Sequence, residues 1–148
     1  MIDRRRFFGA LAAAAVVPFS GAQQQLKVWR IGYLSPQSRL DPPYDRAFLQ
    51  GMSERGYVEG KNLIVEWRFA DGQYERLPAF AAELVRLKVD VIVASTSPAI
   101  RAAQKATTTI PIVFPTTGDP VGSGFVANLA RPGGNITGNN LVWRRLTF

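Results

Sequence analysis

Residues 89–106 read VDVIVASTSPAIRAAQKA, and this stretch decides the fold class. Apart from Asp90, the first six residues are apolar and mostly β-branched, which is typical of a strand buried on both faces of a parallel sheet. Ser97 followed by Pro98 predicts the start of a helix that runs through Ala99 to Ala106, with serine as its cap and proline at the first helical position. A strand, a short hydroxyl-rich loop and a helix form one β-α unit.

The same alternation of strand and helix continues on both sides of this unit. Val28–Ser35 is rich in β-branched and aromatic residues, which predicts a first strand. Leu63–Phe69 alternates apolar and polar positions, and its half-polar face predicts a strand at the edge of the sheet. The other predicted elements are helices at 45–55 and 75–88, a strand at 110–115 and a short final strand near Asn135. Repeated β-α steps predict an α/β fold, a doubly wound parallel sheet with right-handed crossovers.

The composition excludes several classes of chemistry. The chain has 148 residues, of which 47% are hydrophobic and 20% charged, as expected for one ordinary globular domain. It contains no cysteine and no histidine. Disulfides, thiolate metal sites, cysteine nucleophiles and histidine acid–base catalysis are therefore excluded.

The formal net charge of +7 suggests a nucleic-acid partner only until its distribution is considered. Arg4, Arg5 and Arg6 stand in one N-terminal run beside Asp3, and two further arginines lie in the last five residues. Leaving out those five arginines and Asp3 leaves 13 basic and 10 acidic residues of mixed order. Such a balance is typical of a solvated surface, so no nucleic-acid partner is expected.

The N-terminus has the pattern of an export signal. Three arginines precede an apolar run from Phe7 to Phe19, and small residues follow at Ser20 and Ala22. The run is too short for a stable transmembrane helix, so a signal peptide at 1–22 is predicted, with cleavage after Ala22. The arginines and the two phenylalanines after them also resemble the twin-arginine pattern, which leaves that route and the general secretory route open. The mature chain, without a cysteine for a lipid anchor, is expected to be free in the periplasm.

Hydroxyl side chains follow three of the predicted strands. Ser35 ends the first strand, Thr96 and Ser97 follow the third, and residues 116–119 follow the fourth. Ligands of open parallel sheets bind beyond the carboxyl ends of the strands, where loops and helix N-termini converge. Hydroxyls and oriented backbone N–H groups suit a carboxylate or another polar solute. The alternative is that Ser97 only caps its helix and the threonines only fill a turn.

Two segments resemble nucleotide-binding motifs, but neither has the spacing or the position that its motif requires. Residues 56–62, GYVEGKN, have one residue too few between the glycines for a phosphate loop and precede a strand instead of a helix. Residues 122–127, GSGFVA, follow the fourth strand, whereas a dinucleotide fingerprint follows the first. No cofactor is therefore predicted.

Several longer blocks resemble one family. They are RIGYLS at 30–35, GYVEGKNL at 56–63, EWRFADG at 66–72, LVRLKVDVIVA at 84–94, ATTTIPIVF at 106–114 and GDPVGSGFVANLARPGGNITG at 118–138. Together they are similar to ABC-transporter substrate-binding proteins. The resemblance implies a periplasmic-binding fold with two hinged α/β lobes, which capture a small solute for a permease in the inner membrane and its ATPase. Some relatives look like binders of aromatic amino acids.

The resemblance also implies ligand contacts in the first lobe. Carried over by position, these would be Ser35, Thr96, Ser97, Thr117 and Asp119. Asp119 precedes Pro120 and is equally well explained as a helix cap or a turn residue. The glycine-rich segment is expected to begin at the ligand rim, form a short helix at 121–130 and turn through residues 131–134 into the final strand.

The resemblance stops at Gly138, whereas family members continue with a second lobe. We therefore expect an N-terminal solute-binding lobe at 23–138 and a divergent tail at 139–148, in a truncated chain that lacks the second lobe. A half-site exposes its ligand to water, so poor binding by this chain is expected.

Two other classes of function compete with solute binding. One is an exported α/β hydrolase that uses Ser35 or Asp119, although there is no Gly-x-Ser-x-Gly motif and no histidine to activate a serine. The other is the ligand-sensing domain of a signalling protein, which would need a fused DNA-binding or transmembrane segment. We expect a binding protein and no enzymatic activity; the residues leave the solute and the oligomeric state open.

Overall fold

Five parallel strands and three α-helices alternate along the residues that the computed structural model describes, which are 26–39, 43–117, 119–128 and 133–140. The predicted export signal and residues 141–148 of the predicted tail lie outside these ranges. The strands are β1 (Trp29–Ser35), β2 (Leu63–Phe69), β3 (Val91–Ala94), β4 (Ile112–Thr117) and β5 (Ile136–Asn140). The helices are α1 (Pro43–Ser53), α2 (Leu77–Arg86), which a 3₁₀ turn at Tyr74–Arg76 precedes, and α3 (Ser97–Ala106).

The strand order β2-β1-β3-β4-β5 confirms the predicted α/β sheet and the edge position of β2. In the register of β1, Ile31 lies opposite Val65 on one side and Val91 on the other. The chain winds outward from β1 in one direction to β2 and then in the other direction through β3, β4 and β5. The sheet is therefore doubly wound, and its order reverses between β1 and β3.

One face of the sheet is closed by α2 and α3. Gly32 of β1 allows α2 to approach, because a Cβ atom at this position would lie 2.8 Å from Cδ1 of Leu84. The core on this face has side chains with at most 2% exposure from both layers: Leu34, Ile92, Ile112 and Phe114 from the strands, and Leu77, Ala81, Leu84, Ala99, Ile100 and Ala103 from the helices. Small residues on α3 keep the helix close to the strands beneath it.

The other face carries α1, which packs an aromatic cluster over β1 and β2. The ring centroid of Tyr33 lies 5.4 Å from that of Phe48 on α1 and 5.0 Å from that of Trp67 on β2. Beyond α1, Val113 on β4 is only partly buried and Pro115 is exposed. The two faces of one sheet thus differ in how completely helices cover them.

Two local predictions were wrong. The N-cap of α3 is Thr96, so Ser97 and Pro98 are its first two residues, and no side-chain hydrogen bond caps the helix. The expected helix after Asp119 is replaced by turns over residues 120–124 in the described segment 119–128. There Gly124 takes a left-handed φ of 72°, which ends any helical path.

No helix in the described ranges is long and apolar enough to cross a membrane.

Candidate functional site

The carboxyl ends of β1, β3 and β4 bring the predicted hydroxyl residues to one edge of the sheet. The backbone N–H of Ser95, just after β3, donates to the carbonyl oxygen of Leu34 on β1 at 3.1 Å. Val93 lies opposite Val113 in the pairing of β3 with β4, and Thr117 pairs with Asn140 at the end of β4. The loops after these three strands therefore emerge side by side.

The hydroxyl of Ser35 stabilises its own loop, because it is already hydrogen-bonded there. The side chain is 1% exposed. Its Oγ accepts the backbone N–H of Gln37 at 3.2 Å and donates to Oε1 of Gln37 at 3.4 Å. Gln37, which the sequence analysis did not select, is the side chain of this loop that lines the neighbouring groove.

Two hydroxyls beside the start of α3 are buried, and the described part of the chain offers them no partner. The Oγ of Ser95 and the Oγ1 of Thr96 are inaccessible to solvent and make no hydrogen bond within the described residues. An unsatisfied buried hydroxyl costs about 1–3 kcal/mol, so such a pair is uncommon in a native structure. The first-turn N–H groups of α3 also lack intrahelical acceptors, and the helix dipole favours an anion there.

A groove with a volume of about 490 Å³ runs from this edge along the α1 face of the sheet. Its walls are mostly apolar or aromatic, and its polar groups stand at the carboxyl edge. The lining residues are Tyr33, Gln37, Ala47, Phe48, Val93, Ser95, Val113 and Pro115. An apolar cleft with a few convergent polar groups is the usual form of a site for a small organic molecule.

The side chain of Asp119 stabilises the turn that follows β4. Its Oδ1 accepts the backbone N–H groups of Val121 at 3.1 Å and Gly122 at 2.8 Å. Of the two interpretations left open by the sequence, this geometry favours the turn residue. Ser97 is partly exposed in the first turn of α3, and the side chain of Thr117 lies outside what the structure describes.

The described residues at this edge give little support for a catalytic role. Among the described residues, the Ser35 hydroxyl bonds Gln37 and no basic side chain, and no cluster of His, Cys, Asp or Glu could hold a metal ion. Asp90 is the described carboxyl group whose pKa is clearly displaced, and it lies at the opposite end of β3. The pKa of Asp90 is lowered by the backbone N–H of Arg30 at 2.9 Å and then by the ammonium group of Lys27 at 3.0 Å.

Sequence reasoning missed Gln37, Ser95, Tyr33 and Phe48 as lining residues. Ser95 directly follows the last residue of β3, so the rule that selected Thr96 extends to it without change. The role of Gln37 could not be predicted, because it depends on the hydrogen bonds that fold the loop back onto Ser35. The sequence pattern places Tyr33 and Phe48 at inward-facing apolar positions. Such a pattern does not distinguish a side chain in the core from one that lines a groove.

Comparison with known proteins finds a matching family profile and a similar characterised protein. Residues 43–143 match the sequence profile of a family described as ABC transporter substrate binding protein. A tyrosine-binding protein of Clostridioides difficile (strain R20291) is 33% identical over 102 residues, which are 67% of this chain and 30% of that protein.

Solved structures show the same fold. A conserved domain protein from Vibrio cholerae O1 biovar El Tor superposes with a TM-score of 0.70 at 35% identity. A domain from Streptococcus pneumonia in complex with L-Trp superposes with a TM-score of 0.68 at 27% identity. Each match covers 76% of this chain and 38% of the other protein, so the chain spans about a third of the length of the relatives it matches.

Proposed function

This chain belongs to the family of ABC transporter substrate-binding proteins, and we propose that it holds a small amino acid at the carboxyl edge of its sheet for import through a membrane permease. One observation carries the proposal: the hydroxyls of Ser95 and Thr96 are buried with no hydrogen-bond partner among the described residues, at the N-terminus of α3, and Ser95 lines an apolar groove.

The N-terminal end of α3 is suited to the carboxylate of such a ligand. Two hydroxyl donors and the first-turn N–H groups of Ser97 and Ala99 can each satisfy one carboxylate lone pair, and the helix dipole adds to the attraction. Hydrogen bonds to a charged group contribute about 1.5–3 kcal/mol, more than those between neutral groups. Ser97 and Thr117 remain proposed contacts at this edge, whereas Ser35 and Asp119 would act by shaping its loops.

The groove beyond the hydroxyls is suited to an aromatic side chain. Tyr33 and Phe48 form an edge-to-face pair beside Val93, and an additional ring can extend such a cluster. Gln37 provides one donor and one acceptor for a polar substituent on the ligand. The tyrosine-binding relative and the L-Trp complex support an aromatic amino acid as the class of solute.

The affinity of the groove for a ligand depends on how far the groove is open to water. Water reaches a ligand that only one lobe covers, and polar contacts exposed to water contribute little. We expect weak binding by the described lobe alone and tight capture only where a second protein surface closes over the groove. Family members typically work outside the cytoplasmic membrane, so we propose a periplasmic location, an inner-membrane permease as partner and no catalytic step.

The test is a titration of the whole chain with L-tryptophan, L-tyrosine and L-phenylalanine, followed by amide chemical shifts. Tryptophanamide, which lacks the carboxylate, is the matched ligand control. We expect millimolar binding of the acids, shifts at residues 95–97 and at Ala99, and at least about tenfold weaker binding of the amide, because each lost charged contact costs about 1.5–3 kcal/mol.

The double variant Ser95→Ala, Thr96→Val should abolish the preference for the acid, and Thr108→Ala, an exposed threonine beyond α3, should retain it. Equal affinity for acid and amide in the unmodified chain would contradict the carboxylate site. Micromolar affinity of the whole chain for any of these acids would contradict the proposed need for a second surface.

A further inference from the structure

The outer edge of β2 carries both aromatic and charged side chains. Trp67 and Phe69 are only partly buried there, and their rings stack with centroids 5.8 Å apart. Glu66 and Arg68 alternate with them and point to the other face of the strand. The strand at the other edge of the sheet, β5, has neither an aromatic nor a charged residue. The two edges therefore differ in what a further strand would meet.

The hydrogen bonds at the two ends of β2 show which of its backbone groups point outward. Trp29 donates its backbone N–H to the carbonyl oxygen of Asn62 at 2.9 Å, and Ala70 donates to that of Ser35 at 2.9 Å. In the parallel register of β1 and β2, these bonds turn the backbone groups of the even-numbered residues of β2 toward β1. The N–H and C=O groups of the odd-numbered residues therefore point away from the sheet.

The open part of this edge comprises residues 65–69. Before it, the loop that precedes β2 covers the edge, because the carbonyl oxygen of Leu63 accepts the backbone N–H of Gly60 at 3.1 Å. Within it, the carbonyl oxygen of Trp67 accepts from Nη1 of Arg68 at 2.9 Å and keeps a second lone pair. The other outward backbone groups have no partner among the described residues. Such an open row is a template for a further strand.

The charges of this open part match a second copy of the same strand in reverse direction. With a two-fold axis at Trp67, Glu66 of each copy lies opposite Arg68 of the other. An axis at Glu66 or at Arg68 would place like charges opposite each other, and an axis at Val65 or Phe69 would pair no charges at all. Trp67 is also the middle residue of the open part. One axis thus suits both the charges and the free backbone groups.

The apolar face of the strand is self-complementary about the same axis. Trp67 lies opposite Trp67 of the second copy, and Val65 lies opposite Phe69, so the partly exposed rings become covered. These odd-numbered residues form the hydrogen-bonded pairs of an antiparallel ladder. Glu66 and Arg68 form the non-hydrogen-bonded pairs, in which side chains lie closer together.

The ion pairs within one chain hold both edge charges in place. Oε1 of Glu66 lies 3.2 Å from the guanidinium of Arg30, and Nε of Arg68 lies 2.8 Å from the carboxylate of Glu83. A carboxylate has several acceptor sites and a guanidinium several N–H donors, so a second ion pair adds to these contacts without replacing them. Because the side chains are already ordered, pairing costs less conformational entropy.

We propose that β2 pairs antiparallel with β2 of a second copy of this chain, with the two-fold axis at Trp67, so that the two sheets join across this edge. The described residues that line the groove include none of β2, so the proposal does not depend on solute binding. The contact is short, and we expect a weak dimer with a dissociation constant of about 100 µM.

The first test needs no variant protein. Amide hydrogen exchange of the whole chain is followed residue by residue at about 10 µM and about 1 mM, on either side of the expected dissociation constant. The outward N–H groups of residues 65, 67 and 69 should exchange about fourfold more slowly at the higher concentration, because most chains are then paired. The N–H groups of residues 64, 66 and 68, which bond to β1, are the internal control and should change little.

The second test reverses the charges. Glu66→Arg and Arg68→Glu each put like charges opposite each other in their own dimer and should weaken it at least about tenfold. An equimolar mixture of the two variants should pair at least as tightly as the unmodified chain, because every opposed pair across the axis is then of opposite sign. Sedimentation velocity measures the association. A folding defect in either variant cannot produce recovery in the mixture.

The same charge reversals at two exposed residues of α1, Glu54→Arg and Arg46→Glu, are the matched controls and should leave the association unchanged. An unmodified chain that stays monomeric at about 1 mM would overturn the proposal. A dimer that protects other amides would overturn it as well, in favour of a different surface between the copies. So would folded variants whose mixture associates no better than either variant alone.

Discussion

The two faces of the sheet are formed by the same strands but differ in how completely other segments cover them. The face under α2 and α3 is closed, with Leu84, Ile92 and Ile100 wholly buried. The face under α1 has the groove of about 490 Å³ and a second cavity of about 260 Å³ beside Met52 and Val91. From this difference we expect the closed face to supply most of the stability of this lobe, and we propose that the incompletely covered face supplies its binding surface.

The winding of the chain causes this asymmetry. Right-handed crossovers from β1 to β2 and from β2 onward run in opposite directions, so they put α1 on one face and α2 and α3 on the other. The turn segment after β4 joins the second group, with Phe125 and Val126 buried and the carbonyl oxygen of Phe125 accepting from Nε2 of Gln104 at 3.3 Å. Three segments cover one face, and in the described residues α1 is the single helix on the other.

The largest expected effect comes from removing a side chain on the closed face. Leu84→Ala should lower the free energy of unfolding by about 2–5 kcal/mol, because it leaves a cavity in a fully packed core. Met52→Ala on the open face should lower it by only about 1 kcal/mol, since Met52 is partly exposed and already borders a cavity. Urea denaturation of both variants measures the difference, and equal losses would contradict the division of roles between the two faces.

A smaller effect of opposite sign is expected at the candidate site. The double variant Ser95→Ala, Thr96→Val should raise the free energy of unfolding without ligand by about 1 kcal/mol, because it removes two buried hydroxyls that have no partner among the described residues. Ser35→Ala is the matched control and should lower it by about 1 kcal/mol, since that hydroxyl is bonded. Thermal unfolding of the unmodified chain and of the two variants measures these changes. Destabilisation by the double variant would show that the hydroxyls of Ser95 and Thr96 stabilise the fold.

The smallest effect is expected at the opposite edge of the sheet, where the polar groups are satisfied. The pKa of Asp90 is lowered by its bonds to the Arg30 backbone and to Lys27, so the folded state prefers the carboxylate. Its contribution to stability is complete above the ordinary carboxyl pKa of 3.8 and is lost as the pH falls through the lower pKa of the folded state.

Asp90→Asn should therefore reduce the free energy of unfolding slightly at pH 7, by less than about 1 kcal/mol for a pair this near the surface. The difference from the unmodified chain should shrink below pH 3.8. Denaturation midpoints at pH 7 and pH 3 measure it, with Glu59→Gln, an exposed acid in no ion pair among the described residues, as control. A difference that grows in acid would contradict the assigned direction of the pKa shift.

Much of the fold could be predicted because hydrophobic periodicity is local. The alternation in Leu63–Phe69 specified both a strand and its place at the edge, and the β-branched run before Ala94 specified a buried strand. The prediction of a helix after Asp119 failed because one carboxylate and the left-handed Gly124 fold that segment into turns. Such side-chain bonds compete with helix formation and leave little trace in periodicity.

The sequence by itself determined the order of strands and helices, the family resemblance and the set of loops in which a site could form, because these follow from local patterning and from the handedness of β-α-β crossovers. Only the tertiary structure decided that the Ser35 hydroxyl is hydrogen-bonded to Gln37, while those of Ser95 and Thr96 are buried without a partner in the described part of the chain. The physical reason is that whether a polar group is satisfied depends on atoms from several strands and loops meeting within hydrogen-bonding distance, and residue order does not encode that distance locally.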